Sequence, residues 1–197
     1  MKILGIIGSP RKGGNTDTLV DEILRGARSK KAEIEKIYLD DLKIRPCNAC
    51  GLCLANGKCV VEDDFQLIFQ KIKEANGIIL GSPIYCSTVT AQTKALIDRV
   101  DFSQVIIKTT QDGHKLFFSR LQKGKKGVIV CVGDLSSTED FNHTIRVMTL
   151  FFRDLNIEVI DKIIGSRLSK VGDVMSKQAL LRNAFKIGIK LVDSNFL

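Results

Sequence analysis

The sequence predicts a three-layer α/β sandwich built on a five-stranded parallel sheet, with strands in the order 2-1-3-4-5. Three observations predict it. Four short apolar runs, "KILGIIG" (2–8), "GIILG" (77–81), "GVIVCVG" (127–133) and "EVIDKIIG" (158–165), each end at glycine. A fifth, "EIEKIYL" (33–39), alternates polar with apolar residues. Helical stripes separate all five, so strand and helix alternate to the end of the chain, which is the pattern of a parallel sheet with helices on both faces.

The elements follow in order. The opening "MKILGIIGSP" has one lysine and a short apolar stretch that runs into glycine-rich polar sequence, so it reads as a first strand rather than a signal peptide. In 16–28, Leu19, Val20, Ile23, Leu24 and Ala27 share one helical face. The alternating second strand belongs nearer an edge than the continuous apolar runs, which are covered on both sides. A cysteine-rich loop at 43–64 comes after it. Leu67, Ile68, Ile72 and Ala75 mark the next helix, and Leu96, Ile97 and Val100 the one after the third strand. Ile145, Met148, Leu150, Phe151 and Leu155 stripe the helix after the fourth strand, and a last helix runs from about Val174 to Leu191. This order places the second and fifth strands outside and treats residues 1–197 as one domain. Ligands in such sheets bind at the carboxyl ends of the strands, where strand order reverses. The loops that matter are therefore 8–16, 82–90 and 133–139.

The chain has 197 residues, of which 44% are hydrophobic, as in an ordinary water-soluble domain. No apolar run approaches bilayer length, so no membrane association is expected, and the location read from this is cytoplasmic. In that compartment six cysteines point to metal or redox roles rather than structural disulfides. The formal charge is +8. Apart from "KGKKG" at 123–127, the lysines are scattered and no aromatic residues interleave with them. Solvated faces are the reading, not a nucleic-acid surface.

The loop "GSPRKGGNT" (8–16) leaves the first strand and feeds the first helix. Helix N-termini offer unpaired N–H groups and the positive end of the dipole to an anion. Ser9, Asn15 and Thr16 can add side-chain donors, Arg11 a planar fork, and Gly13 and Gly14 a close backbone turn. The P-loop pattern fails because Gly14 and Asn15 follow Gly13, and the dinucleotide pattern fails because Ser9 and Pro10 follow Gly8. With no cysteine in the loop, a monophosphate held by hydroxyls, amides and one arginine remains. The plain alternative is a glycine-rich turn.

Together with "GSPIYCSTVTAQTKALIDR" (81–99), this loop resembles the flavodoxin-like NAD(P)H-dependent FMN reductases. The strand order above is the flavodoxin-like one. The resemblance covers about the first hundred residues and continues beyond them by fold order only. It implies that Ser9, Arg11, Asn15 and Thr16 hold the FMN phosphate, with Gly14 in the turn, and that Pro83, Ile84, Tyr85, Cys86 and Ser87 border the isoalloxazine. Pro83 stiffens that loop, and Tyr85 offers a flat face or a hydroxyl; its alternative is a half-buried loop aromatic. Asp134 and Ser136 follow the fourth strand at the end that faces a flavin edge.

"PCNACGLCLANGKC" spaces Cys47, Cys50, Cys53 and Cys59 as C-x2-C-x2-C-x5-C. Zinc sites usually use two pairs separated by a longer finger, whereas a cysteine at every third residue is the run that wraps an iron–sulfur cube. Ala49, Gly51 and Gly57 suit a tight wrap, and Lys43, Arg45 and Lys58 can offset thiolate charge. Spacing alone leaves zinc, a disulfide or empty thiols open. The run and the following "VVEDDF" are similar to those of iron–sulfur flavoproteins. That resemblance implies a [4Fe–4S] cluster beside FMN, and a homodimer or homotetramer in which cluster and flavin of neighbouring subunits approach each other. Cys131 reads as a core residue of the fourth strand, and Cys86 as a residue able to touch the ring without an activator.

No acid–base residue is nominated. His114 and His143 read as exposed, Asp63 and Asp64 as the acidic start of a helix, and Asp98 and Arg99 as paired with neighbours. The long connection 101–126 holds Val105, Ile106, Ile107, Leu116, Phe117 and Phe118, to cross a subunit boundary, to roof the flavin or to cover a local helix. The function expected is an FMN-dependent oxidoreductase relaying electrons through the cluster, with NAD(P)H or ferredoxin as donor. The alternatives are an FMN-only NAD(P)H-dependent FMN or quinone reductase, a passive flavodoxin-like carrier, and a zinc-stapled binding module. Flavodoxins are acidic and commonly flank the flavin with tryptophan, whereas this chain is basic and has none.

Overall fold

In the computed structural model, which describes residues 1–193, the chain forms β1 (Lys2–Ile7), α1 (Asn15–Ser29), β2 (Glu33–Tyr38), α2 (Phe65–Glu74), β3 (Gly77–Pro83), α3 (Ala91–Gln104), β4 (Val105–Thr109), β5 (Lys115–Ser119), β6 (Lys125–Val132), α4 (Asn142–Asp154), β7 (Ile157–Gly165) and α5 (Gln178–Val192). β1, β3 and β6 are the continuous apolar runs, and they lie in the middle of the main sheet. Its order is β2-β1-β3-β6-β7, all parallel, with β2 and β7 at the edges.

The alternation of side chains across the pleat makes two cores. Leu4, Ile6, Ile78, Leu80 and Ile129 face α2, α3 and α4, while Ile3, Ile7, Ile79, Val128 and Val130 face α1 and α5. Each such buried aliphatic side chain stabilises the fold by roughly 1.5–3 kcal/mol relative to exposure. Cys131 lies on the first of these faces, fully buried, and burial pushes its thiol up to about 12.

The structure departs from the sequence reading in the count of strands. Residues 101–126 finish α3 and then form a hairpin that lines no part of the main-sheet cleft: β4 continues directly from α3 and pairs antiparallel with β5, Ile106 opposite Phe118 and Ile107 opposite Phe117. This hairpin stands outside the main sheet, so the order by strand number is 2-1-3-6-7 rather than 2-1-3-4-5. Asp112-Gly113 sits in its turn, with Gly113 at φ 84°. Leu67 and Leu150, assigned to buried stripes from periodicity, are exposed, and Ala75 caps α2 instead of continuing it. The last helix begins at Gln178; Val174 belongs to a separate short turn before it. No helix among the described residues is long and apolar enough to cross a membrane.

Candidate functional site

The loop 8–16 leaves β1 at its carboxyl end and is tied to the neighbouring strand at once. Gly8 N–H donates to Gly81 O at 2.7 Å, and Thr90 Oγ1 donates to Gly8 O at 2.7 Å. Ser9 Oγ accepts the Arg11 N–H, and Gly14 N–H closes a turn on Arg11 O at 3.0 Å. Gly14 is the N-cap of α1, in extended backbone and with no side-chain cap. The first-turn amides of Asn15, Thr16 and Asp17 therefore lack the acceptor that a serine or aspartate cap supplies. A side chain on Gly14 would have its Cβ 2.9 Å from Arg11 O. An uncapped helix start in a concave turn, flanked by hydroxyls and an arginine, fits a phosphate group.

The second loop comes from β3. Ile84 N–H donates to Val132 O at 2.8 Å, which fixes Pro83 and Ile84 beside β6. Tyr85 and Thr88 then exchange two backbone hydrogen bonds across Cys86 and Ser87. Those two residues have φ of 47° and 60°, the left-handed region that non-glycine residues seldom occupy.

The two loops and the start of the β6–α4 connection surround a cleft of about 160 Å³. Of the residues expected at a flavin, Ser9, Arg11, Gly14, Asn15, Thr16, Pro83, Ile84, Tyr85 and Asp134 line it. Cys86, Ser87 and Ser136 do not line it; the first two project the tight turn into solvent. The sequence reading missed the fourth wall, Leu168, Ser169 and Val171 after β7. The signal was "GSRLSKVGD" at 165–173, a glycine–serine–arginine run at a strand's carboxyl end. Asn15 is engaged with this wall: its Nδ2 donates to Lys170 O at 2.8 Å and its Oδ1 accepts Val174 N–H at 3.1 Å. Arg11 Nη1 reaches Ser169 O at 3.4 Å.

The cysteine loop lies against the far half of α3. All four thiols are unpaired in disulfides, and Cys47, Cys50, Cys53 and Cys59 line one small pocket together with Arg99 and Phe102. The wrap uses positive φ at Ala49 (55°), Gly51 (74°) and Gly57 (77°). Cys47 Sγ accepts Ala49 N–H at 3.4 Å, and Cys59 Sγ accepts Arg99 Nη2–H at 3.3 Å. Burial, then the neighbouring thiols of Cys59, Cys47 and Cys50, push the Cys53 thiol up. Among the described residues, no three of these or other ligand side chains are arranged to hold a single metal ion. The buried cation beside the pocket is Arg99, 1% exposed, with a buried Nε that has no hydrogen-bond partner. The sequence reading gave Arg99 only a neighbour to pair with. Lys43, Arg45 and Lys58, which it named instead, are all partly or wholly exposed. His114 and His143 are exposed.

The family model for NADPH-dependent FMN reductases matches residues 1–153. The chain belongs to this family. Within the family its similarity is to the iron–sulfur flavoprotein branch. It is 50% identical over 99 residues to an iron–sulfur flavoprotein of Methanocaldococcus jannaschii, a match covering 50% of this chain and 51% of that one. The chain thus spans about half the length of the curated relatives it matches first. A Bacillus subtilis protein named as a putative NAD(P)H-dependent FMN-containing oxidoreductase is 29% identical over 160 residues, 78% of this chain and 82% of that one. Among solved structures, an FMN-dependent NADH-azoreductase from Bacillus anthracis in complex with FMN superposes with a TM-score of 0.73. That likeness covers 98% of this chain and all of the other at 14% identity, and it shows the shared fold alone.

Proposed function

We propose that this FMN reductase family member is an FMN-dependent oxidoreductase that accepts hydride or electrons at the flavin and relays them through a [4Fe–4S] cluster. The observation that carries the first half is the cleft, where the uncapped start of α1 meets Pro83, Ile84 and Tyr85. In this reading the amides of Asn15 and Thr16, the hydroxyls of Ser9 and Thr16 and the Arg11 guanidinium hold the phosphate. Pro83, Ile84, Tyr85 and Asp134 border the ring system. Bound FMN supplies a centre that takes two electrons as hydride and releases them singly, which suits NAD(P)H or ferredoxin as donor and a cluster as the next carrier. The residues' own work is placement: holding the phosphate, presenting the ring and narrowing access beside it.

Cys47, Cys50, Cys53 and Cys59 would hold the cluster. Their spacing, their shared pocket and the N–H groups donated to the sulfurs of Cys47 and Cys59 support this, as do the names of the relatives. The first loop of the cleft meets the start of α3, and the cysteine pocket lies on its far half. Thr90, at its start, touches Gly8, and Arg99 lies nine residues on, about 14 Å at 1.5 Å per residue. Leu52, Leu54 and Val60 in the cysteine loop and Phe102 beside it are exposed, as are Ile107 and Phe117 on one face of the hairpin and Phe118 on the other. Exposed apolar side chains of that kind support a homodimer or homotetramer, in which the resemblance to iron–sulfur flavoproteins brings the cysteines of one subunit towards the flavin of another.

A second reading, an FMN-only NAD(P)H-dependent reductase, is favoured by Cys53, whose Sγ–H donates to Phe102 O at 3.3 Å, a contact that a thiolate ligand cannot make. One experiment separates them: purification without oxygen, the visible spectrum, and flavin, iron, zinc and acid-labile sulfide measured on the same sample. Flavin with about four irons and four sulfides per chain supports the proposal. Flavin without iron selects the second reading, zinc without flavin selects a stapled binding module, and absence of flavin overturns both flavin readings.

A further inference from the structure

Asp17 stands in the first turn of α1 and is 2% exposed. A buried carboxylate at the mouth of a phosphate cradle repels the anion by charge alone. Its contacts show another use. Oδ2 accepts the Gly13 N–H at 2.7 Å and the Tyr38 hydroxyl at 2.8 Å; Oδ1 accepts Lys36 Nζ at 3.0 Å. Lys36 also reaches Asp21 at 2.7 Å. Lys12, the residue before Gly13, bonds Asp41 at 2.8 Å and lies 5.0 Å above the Tyr38 ring. Two consecutive loop residues are thus tied to the end of β2, one of them through Asp17. Gly13 is at φ 72° with open space where a side chain would be, so no packing of its own locks it.

We propose that Asp17 is a positioning residue for the phosphate cradle: it fixes Gly13, and through it Gly14 and the first-turn amides, in the anion-holding conformation, while Lys36, shared with Asp21, offsets part of its charge. The proposal rests on the FMN reading above. A carboxylate that grips the loop from behind gains the rigidity, and its lysine partner reduces the repulsion that would otherwise come with it.

The test measures dissociation constants for FMN and for riboflavin, which lacks the phosphate, on the full chain after removal of its flavin. Asp17→Ala is expected to weaken FMN by about tenfold or more, the scale of one lost charge-assisted hydrogen bond, and to leave riboflavin within about threefold. Asp17→Asn keeps an acceptor for Gly13 and Tyr38 and recovers most of the loss. Lys36→Met leaves the carboxylate uncompensated and also weakens FMN more than riboflavin. If Asp17→Ala does not fold, judged by its thermal transition, Asp17→Asn and Lys36→Met carry the test. Unchanged FMN affinity in Asp17→Ala or Lys36→Met, or equal losses for the two flavins, overturns the proposal while the FMN reading stands. A wild-type chain that binds riboflavin as tightly as FMN, or neither, overturns both.

Discussion

Arg99 Nη1 lies 2.6 Å from Asp63 Oδ2, a salt bridge with 0% and 7% of the two side chains exposed. The same guanidinium stacks 4.2 Å over the Phe65 ring and donates to Val61 O and Cys59 Sγ, so one side chain ties α3 to the last arm of the cysteine loop. Burial pushes the Asp63 carboxyl up, but the N–H groups of Arg45 and Phe65 and the Arg99 guanidinium outweigh it and hold it below its ordinary 3.8. A lowered carboxyl stabilises the fold above its ordinary value and loses that contribution as the pH falls through its lowered one. Asp63→Ala is therefore expected to cost about 3 kcal/mol or more at pH 7, since it strands a buried cation. Urea unfolding at a series of pH values checks it: the gap between variant and wild type begins to narrow only below about pH 4 and shrinks further as the pH falls through the lowered value.

Asp154 shows the opposite sign. Burial, with Asp101 nearby, pushes its carboxyl up to about 6 against the pull of Arg153. The folded chain then holds a proton that the unfolded chain has released between about pH 4 and pH 6, so this group costs stability as the pH rises through that window. Asp154→Asn is expected to stabilise the fold by about 1–3 kcal/mol above pH 6. Arg153 is 55% exposed, so losing its pair costs little. Chemical denaturation at pH 7 and pH 4 checks it; the gain disappears at the lower pH.

Thr90 joins the two loops of the cleft. Its Oγ1 donates to Gly8 O, and it accepts the Thr93 N–H as the N-cap of α3. Thr90→Ala removes a cap and a buried hydrogen bond together, at an expected cost of about 1–2 kcal/mol. It also frees Gly8 to move away from β3, so FMN affinity is expected to fall by about three- to tenfold, about 1 kcal/mol. Urea unfolding and flavin fluorescence titration measure the two effects. A stable variant with unchanged affinity contradicts the link between cap and cleft.

Four of the five main-sheet strands were legible because each is an apolar run closed by glycine, and the fifth, β2, because its polar–apolar alternation suits an edge. The hairpin was not, although its signal is present: "VIIKT" and "KLFFS" flank a turn with Asp112-Gly113. Helical stripes on either side directed attention to the β/α alternation, and β4 begins without a break from α3. The cleft's phosphate side was legible for a similar reason, since strand, glycine-rich loop and helix are contiguous in sequence. The wall at Leu168 and Val171 follows an edge strand far along the chain, and its "GSRLSKVGD" is not contiguous in sequence with either of the other cleft loops. Arg99 and Asp17 escaped because burial of a charge depends on partners 36 and 21 residues away, which periodicity does not reveal.

The turn at Cys86 and Ser87 gives a prediction about strain. Two adjacent non-glycine residues at positive φ cost about 1 kcal/mol each. Cys86→Gly is expected to stabilise the fold by about 0.5 kcal/mol, part of the relief being offset by the added freedom of the unfolded chain. Cys86→Val, β-branched at the same φ, is expected to destabilise by about 1 kcal/mol or more. Thermal unfolding of the two variants side by side reads the difference; equal melting temperatures contradict it.

The cysteines give the last prediction. If Cys47, Cys50, Cys53 and Cys59 hold one cluster, each is needed, because a serine hydroxyl is a poor substitute for a thiolate on iron. Single Cys→Ser changes at any of the four are expected to remove most of the iron and sulfide from protein purified without oxygen. Cys86→Ser, in the solvent-facing turn, is expected to leave both unchanged. The cleft draws none of its lining from the cysteine loop, so flavin content is expected to stay at the wild-type level in every variant. Iron, sulfide and flavin assays on the five proteins decide it. Retention of iron in any one of the first four variants removes that cysteine from the ligand set, and loss of flavin along with iron shows that the two sites are not independent.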